Sequence, residues 1–157
     1  METLLTLAKI IGRAGNAEAI KLRPAMFLAQ EWSGVTYYDF RVGQGLVFSD
    51  QLDQDLSQLV SGGLVLQSSP AVGSEVTFSP QAQGVQAAQV LSEEESKLVS
   101  SIVTLLKEST SVLDAAATSR FFERKRLGDP GEWLQWYRAL PDPDRERAGA
   151  LAPGSAA

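Results

Sequence analysis

The chain has 157 residues, 44% of them hydrophobic and 21% charged, the profile of a globular domain with a sizeable core. With no Cys and no His, the common zinc, haem and iron–sulfur ligand sets are excluded, as are Ser-His and Cys-His nucleophile pairs, so no cofactor or metal is expected. The net charge of −5 is unevenly spread: between Arg41 and Lys97 there is no Lys or Arg, whereas Asp50, Asp53, Asp55, Glu75, Glu93, Glu94 and Glu95 give that stretch −7, a surface that repels phosphate and attracts basic partners.

In chain order, the first predicted helix is Glu2–Ala14, with Leu4, Leu7, Ala8 and Ile11 on one face and Gly15 past its end. A second helical pattern runs from Ala19 to Trp32; Pro24 fits best in its first turn, which would start the regular helix near Leu22. Val35–Val42 alternates and is rich in Tyr and Phe, so it reads as a short strand or extended link that Gly43–Gln44–Gly45 breaks. Ser49 caps a third helix, Asp50–Ser61, with Leu52, Leu56, Leu59 and Val60 on one stripe and acids in the first turn, where the helix dipole favours them.

Gly62–Gly63 ends that helix, and Leu64–Gln67 with Glu75–Phe78 reads as a hairpin. Ser79–Pro80 then predicts the start of a helix reaching Leu91. Three further helix starts are read as capping boxes: Ser92 with Glu95, Ser111 with Asp114, and Asp129–Pro130 with Glu132. Leu98, Ile102, Leu105 and Leu106 form one apolar face, Leu113, Ala116, Ala117 and Phe121 another, and Trp133, Trp136, Tyr137 and Leu140 close a short last helix. From Pro141 onward Pro, Ala, Gly and charge dominate, so residues 141–157 are expected to be a disordered tail. The predicted fold class is mainly α with a small β-hairpin.

Several short motifs occur in a telling order. The run Lys21–Leu22–Arg23–Pro24–Ala25–Met26–Phe27–Leu28–Ala29–Gln30, then Asp39–Phe40–Arg41, Gly45 to Ser49, the Leu52-to-Leu64 stretch, Phe78–Ser79–Pro80 with Gly84, and Leu113 with Ala116–Ala117–Thr118 resemble, together, the YwgA-like and Panacea-like winged-helix proteins of bacteria. The resemblance covers about residues 2–127. It implies a winged-helix lobe over residues 1–91 and a helical extension over 92–140 packed on it, in families some of whose members resemble antitoxins. It implies no catalytic residues. Gly45–Leu46–Val47–Phe48 stands where those families carry a Tyr-Gly-Pro-Tyr core, so any role of that element is not carried over.

A winged helix invites a DNA-binding reading, in which the third helix enters the major groove. Here that helix holds three Asp and no base, and the wing has only Glu75. DNA affinity comes mostly from Lys and Arg, so nucleic acid is not expected to bind through residues 50–61. The basic cluster Arg120, Arg124, Lys125 and Arg126 is the place where an acidic partner or nucleic acid would engage, against the simpler account that cations collect at a helix C-terminus. Glu93–Glu94–Glu95 is not expected to form a metal or acid/base site, because consecutive helical residues point in different directions.

Two aromatic groups are candidate interfaces. Trp133, Trp136 and Tyr137 have helical spacing, which serves a core or an inter-helix contact and becomes an interface if the protomer leaves it uncovered. Tyr37, Tyr38, Phe40 and Arg41 cluster in an expected loop or edge strand, where contacts between protomers form readily. The leading expectation is a non-catalytic winged-helix protein acting through a protein partner or a homo-oligomer, in a regulatory or antitoxin-like role; the alternative is a DNA-binding transcriptional regulator. Carboxylate catalysis is the remaining enzymatic option, since pairs distant in sequence can meet in space. No stretch approaches the roughly 20 apolar residues of a membrane helix, and the apolar opening Leu4–Ile11 is interrupted by Lys9 and lacks a basic n-region. The expected location is the cytoplasm.

Overall fold

A computed structural model describes residues 2–34, 36–43, 46–68, 76–125 and 139–151. The elements are α1 (Glu2–Ala14), β1 (Ala17–Glu18), α2 (Ala19–Ser33), β2 (Arg41–Gly43), β3 (Leu46–Phe48), α3 (Asp50–Ser61), β4 (Val65–Gln67), β5 (Thr77–Pro80), α4 (Ala82–Ala87), α5 (Glu93–Leu105), α6 (Thr110–Lys125) and α7 (Asp142–Leu151). The fold is mainly helical with small antiparallel sheets. Its sheet of three strands has the order β1–β5–β4, and a second of two strands joins β2 to β3. The first strand, β1, pairs with the last, β5, and the β2–β3 hairpin lies between α2 and α3 in the chain.

Local sequence explains α1, α3 and α5. In α1 the side chains of Leu7, Ala8, Ile10 and Ile11 are fully buried, one face of an amphipathic helix laid on the core. Ser49 caps α3 as expected, its hydroxyl accepting from the Leu52 N–H at 3.3 Å. At the start of α5, Ser92 and Glu95 form the reciprocal capping box.

Long-range pairing decides the rest. Ala17 and Glu18 pair with Phe78 and Thr77, and the Ala19 N–H donates to the Val76 carbonyl at 2.9 Å. This ladder fixes the entry of α2 at Ala19. Pro24 therefore lies inside the helix, a correction to its placement in the first turn, and its missing N–H leaves the Ile20 carbonyl without the usual helical donor. Ser79 and Pro80 pair with Leu66 and Val65 and so extend β5 instead of starting the expected helix. The helix starts at Ala82 and ends at Ala87, short of the expected Leu91, with Gly84 seated against the carbonyl oxygen of Leu64.

Of the stretch expected as a short strand or extended link over 35–42, residues 36–40 are an irregular link. Gln30, buried in α2, accepts from the N–H groups of Tyr37 (3.0 Å) and Tyr38 (2.7 Å) and donates to the Tyr38 carbonyl (3.0 Å). One side chain thus meets the backbone needs of that segment, and regular pairing starts only at Arg41, which faces Phe48 in the β2–β3 register.

Helices α5 and α6 share one core with the elements that precede them. Leu98, Ile102, Leu105 and Leu113 are fully buried in the same cluster as Leu7, Ile11, Leu22 and Met26, because α5 packs on α1 and α2 while α6 packs on α2. Phe27 joins them, its ring 5.4 Å from that of Phe40 and 6.1 Å from that of Phe121. Ser109, not Ser111, caps α6, its hydroxyl accepting from the Val112 N–H. The stretch expected as a disordered tail holds α7, which packs on α6 and buries Ala148 and Leu151. The Trp32 indole donates to the Leu151 carbonyl at 2.9 Å, and Arg147 pairs with Glu108. Among the described residues no helix is long and apolar enough to cross a membrane.

Candidate functional site

Where α2, β3 and α6 meet they leave a groove of about 580 Å³ lined by Ile20, Arg23, Pro24, Leu46, Val47, Phe48, Thr110 and Asp114. Its walls are mainly apolar. Leu46, at the tip of the inserted hairpin, is 45% exposed while its neighbour Val47 is 3% exposed, the alternation of a strand with one buried face. A concave apolar surface with a few convergent polar groups is the form a binding site takes.

Asp114 is the ionisable group that distinguishes this groove. It lies in the second turn of α6 between buried Leu113 and Ala115. Among the described residues no donor reaches its carboxylate, and burial raises its pKa from 3.8 to about 6. The capping box expected at Asp114 does not form, because Ser109 takes the capping role. The signal that marks Asp114 is a lone acid inside the apolar run Val112–Thr118, which the capping pattern obscures.

Arg23 stands on the rim and joins this groove to a smaller one of about 280 Å³, which reaches Asp53 and Ser57 on α3 and Gln67 on β4. Its guanidinium faces Asp53, with Nε 3.1 Å from Oδ1 and Nη2 3.4 Å from Oδ2. Arg41 in turn pairs with Asp50 and lies over the Phe48 ring, 5.1 Å from its centroid. Asp55, 3% exposed, points inward, accepting from the Tyr38 hydroxyl and from Gln51. The three aspartates of α3 therefore do not form an acidic front. Besides Asp50, which is exposed and paired with Arg41, the exposed residues of α3 are Gln51, Gln54, Ser57, Gln58 and Ser61.

Compared with protein-family models, curated proteins and solved structures, the chain matches none of them. Function is therefore read from the site.

The aromatic cluster expected as an interface is mostly internal. Tyr38 and Phe40 are 4% and 5% exposed, because Gln30 draws their backbone onto α2. Half-buried Tyr37 donates its hydroxyl to Glu94 at 2.7 Å; burial, and then the Glu94 carboxylate, raise its pKa. Arg41 is exposed but engaged as described. These four residues do not form one contact surface.

Of the basic cluster, Arg120 faces Glu31 of α2 at 3.6 Å. Arg124 and Lys125 belong to the last turn of α6, with their side chains outside the described set. Arg126, Trp133, Trp136 and Tyr137 lie outside the described residues, as does the cap at Asp129–Pro130.

The three consecutive glutamates diverge. Glu93 reaches toward Lys97 at 3.7 Å, Glu94 toward Tyr37, and Glu95 inward to Thr6 (3.1 Å) and Lys9 (3.0 Å). Burial opposes the charge on Glu95, but the Ser92 backbone N–H, Lys9 and Thr6 together hold its pKa below the usual range. Glu95 thereby ties α5 to α1. Among the described residues no group of His, Cys, Asp and Glu is arranged to hold a metal.

Proposed function

We propose that the chain is a non-catalytic winged-helix protein that acts in the cytoplasm by binding another protein, in a regulatory or antitoxin-like role. The observation that carries this reading is the character of the α3 side of the molecule. Gln51, Gln54, Ser57 and Gln58 face solvent there, and the adjacent arginines, Arg23 and Arg41, each face an aspartate. Next to that neutral surface lies the apolar groove with Leu46 at its rim. Such a surface lacks the cations that bring a duplex in, while its apolar groove suits a protein segment.

A second reading, duplex DNA, draws on the same helix. With Asp50 and Asp53 paired and Asp55 buried, the repulsion expected from the sequence is largely neutralised. Gln54 and Gln58 then lie one turn apart, and glutamine is a natural reader of adenine. Missing cations, rather than repelling carboxylates, become the argument against it.

Fluorescence anisotropy with a mixed-sequence duplex at two salt concentrations tests the choice. We expect no binding tighter than about the 10⁻⁴–10⁻⁶ M non-specific range. Submicromolar binding lost on Gln54→Ala or Gln58→Ala would establish the second reading; loss on Arg124→Glu would move the contact to the end of α6. Native co-purification of a stoichiometric protein partner is the positive outcome for the first.

A further inference from the structure

We propose that the groove between α2, β3 and α6 is a docking slot for an arginine of a partner protein, with an apolar residue adjacent to that arginine packed on Leu46. This rests on the protein-binding reading above and names the chemistry of the partner.

The groove's lining residues include Asp114, whose carboxylate calls for a donor that carries charge, and Ile20, whose carbonyl is offered no N–H by Pro24, four residues on. Asp114 has no donor among the described residues and is flanked by apolar walls, where a lone carboxylate is poorly solvated. A guanidinium fits this pair. Its planar fork can meet a carboxylate with two N–H groups and still have donors for a carbonyl. It is also more weakly hydrated than an ammonium, so moving it out of water costs less.

The walls suit the rest of an arginine. Ile20, Pro24 and Val47 offer apolar surface to its methylene stem. Leu46, 45% exposed at the rim, offers a contact to a neighbouring apolar residue. Arg23, the cation among the groove's described lining residues, faces Asp53 and leaves Asp114 open.

The test is titration of the full-length, isotope-labelled protein with the peptide acetyl-Gly-Leu-Arg-Gly-amide and matched peptides carrying Lys, citrulline or Glu in place of Arg, followed by NMR. Citrulline keeps the shape of arginine without its charge. Amide shifts should concentrate at Ile20, Leu46–Phe48 and Asp114, and the citrulline peptide should bind at least about tenfold more weakly, an energy of about 1.4 kcal/mol. Asp114→Asn, with its fold verified by thermal melting, should bind the two peptides alike, whereas Leu46→Ala should weaken both without changing their ratio. Equal binding of citrulline and arginine, retention of the preference in Asp114→Asn, shifts elsewhere, or no shift at millimolar peptide would overturn the proposal. Concentration-dependent shifts at the same amides without peptide, with dimers in sedimentation, would make the occupant a second copy and overturn it too. None of these outcomes bears on duplex binding, so the broader reading fails or stands separately.

Discussion

The hydroxyl of Tyr38 donates to the carboxylate of Asp55 at 2.6 Å inside the core, joining the segment after α2 to α3. Asp55 is 3% exposed, and its second oxygen accepts from Gln51 at 2.8 Å. Removing the phenolic donor would leave a buried acceptor half satisfied. Tyr38→Phe is therefore expected to cost about 1–3 kcal/mol, measured by urea denaturation. Gln51→Ala, at an exposed position, should cost less. A Tyr38→Phe penalty within experimental error would show that water reaches Asp55.

Elements whose signals are local are legible in the amino-acid sequence. Ser49 before Leu52 and Ser92 before Glu95 carry their caps within three or four residues, and the stripes of α1 and α3 need no partner to be recognised. Ala17–Glu18 cannot be read this way, since two residues become a strand only because Phe78 and Thr77 lie beside them. The same holds for Leu46–Phe48, which pairs with β2, and for α7, whose polar sequence hides Leu151 and Ala148 until α6 and Trp32 cover them. The candidate site illustrates the limit most clearly. The sequence singles out Arg41, but as part of an aromatic surface that Gln30 folds inward, and its pattern around Asp114 points to a cap, whereas burial of that carboxyl depends on β3 and α2 lying across α6.

Gly84 is a position where a methyl group has no room. A Cβ there would sit 2.4 Å from the Leu64 carbonyl oxygen, which itself accepts from the Gln81 N–H at 2.9 Å. Gly84→Ala must move α4 away from Leu64 and is expected to cost about 1–3 kcal/mol, the range for overpacking. Gly149, within α7, has open space around its Cβ direction. Gly149→Ala should be neutral or stabilising by up to about 1 kcal/mol. Paired thermal melts of the two variants check the contrast, and a stable Gly84→Ala would place α4 farther from Leu64.

Truncation after Pro141 removes α7. That deletes the buried Leu151 and Ala148, the acceptor of the Trp32 indole, and the Arg147–Glu108 pair. Exposed ion pairs contribute little, so the loss comes mainly from Leu151, about 1.5–3 kcal/mol for a fully buried side chain of this size. For a chain of this length the melting midpoint should fall by about 3–12 °C. An unchanged midpoint would mean that residues 142–157 behave as the tail the sequence suggests.

Two carboxyls should shape the pH dependence of stability in opposite ways. Asp114 has its pKa raised from 3.8 to about 6 by burial, so between these values the folded state holds a proton that the unfolded chain has released. Stability from this group is present at low pH and declines as pH rises from about 4 to about 6. Glu95 has its pKa lowered: burial opposes its charge, but the Ser92 N–H, Lys9 and Thr6 outweigh it. Its contribution is present above the ordinary value of 4.5 and is lost as pH falls through the folded value. Asp114→Asn should therefore raise the melting midpoint at pH 7.5, change it little at pH 4, and flatten the profile between them. Glu95→Gln should lower the midpoint at pH 7.5 and remove part of the acid-side decline. If Asp114→Asn has the same effect at both pH values, the groove solvates Asp114 as water does, and the carboxylate has no need of a cation.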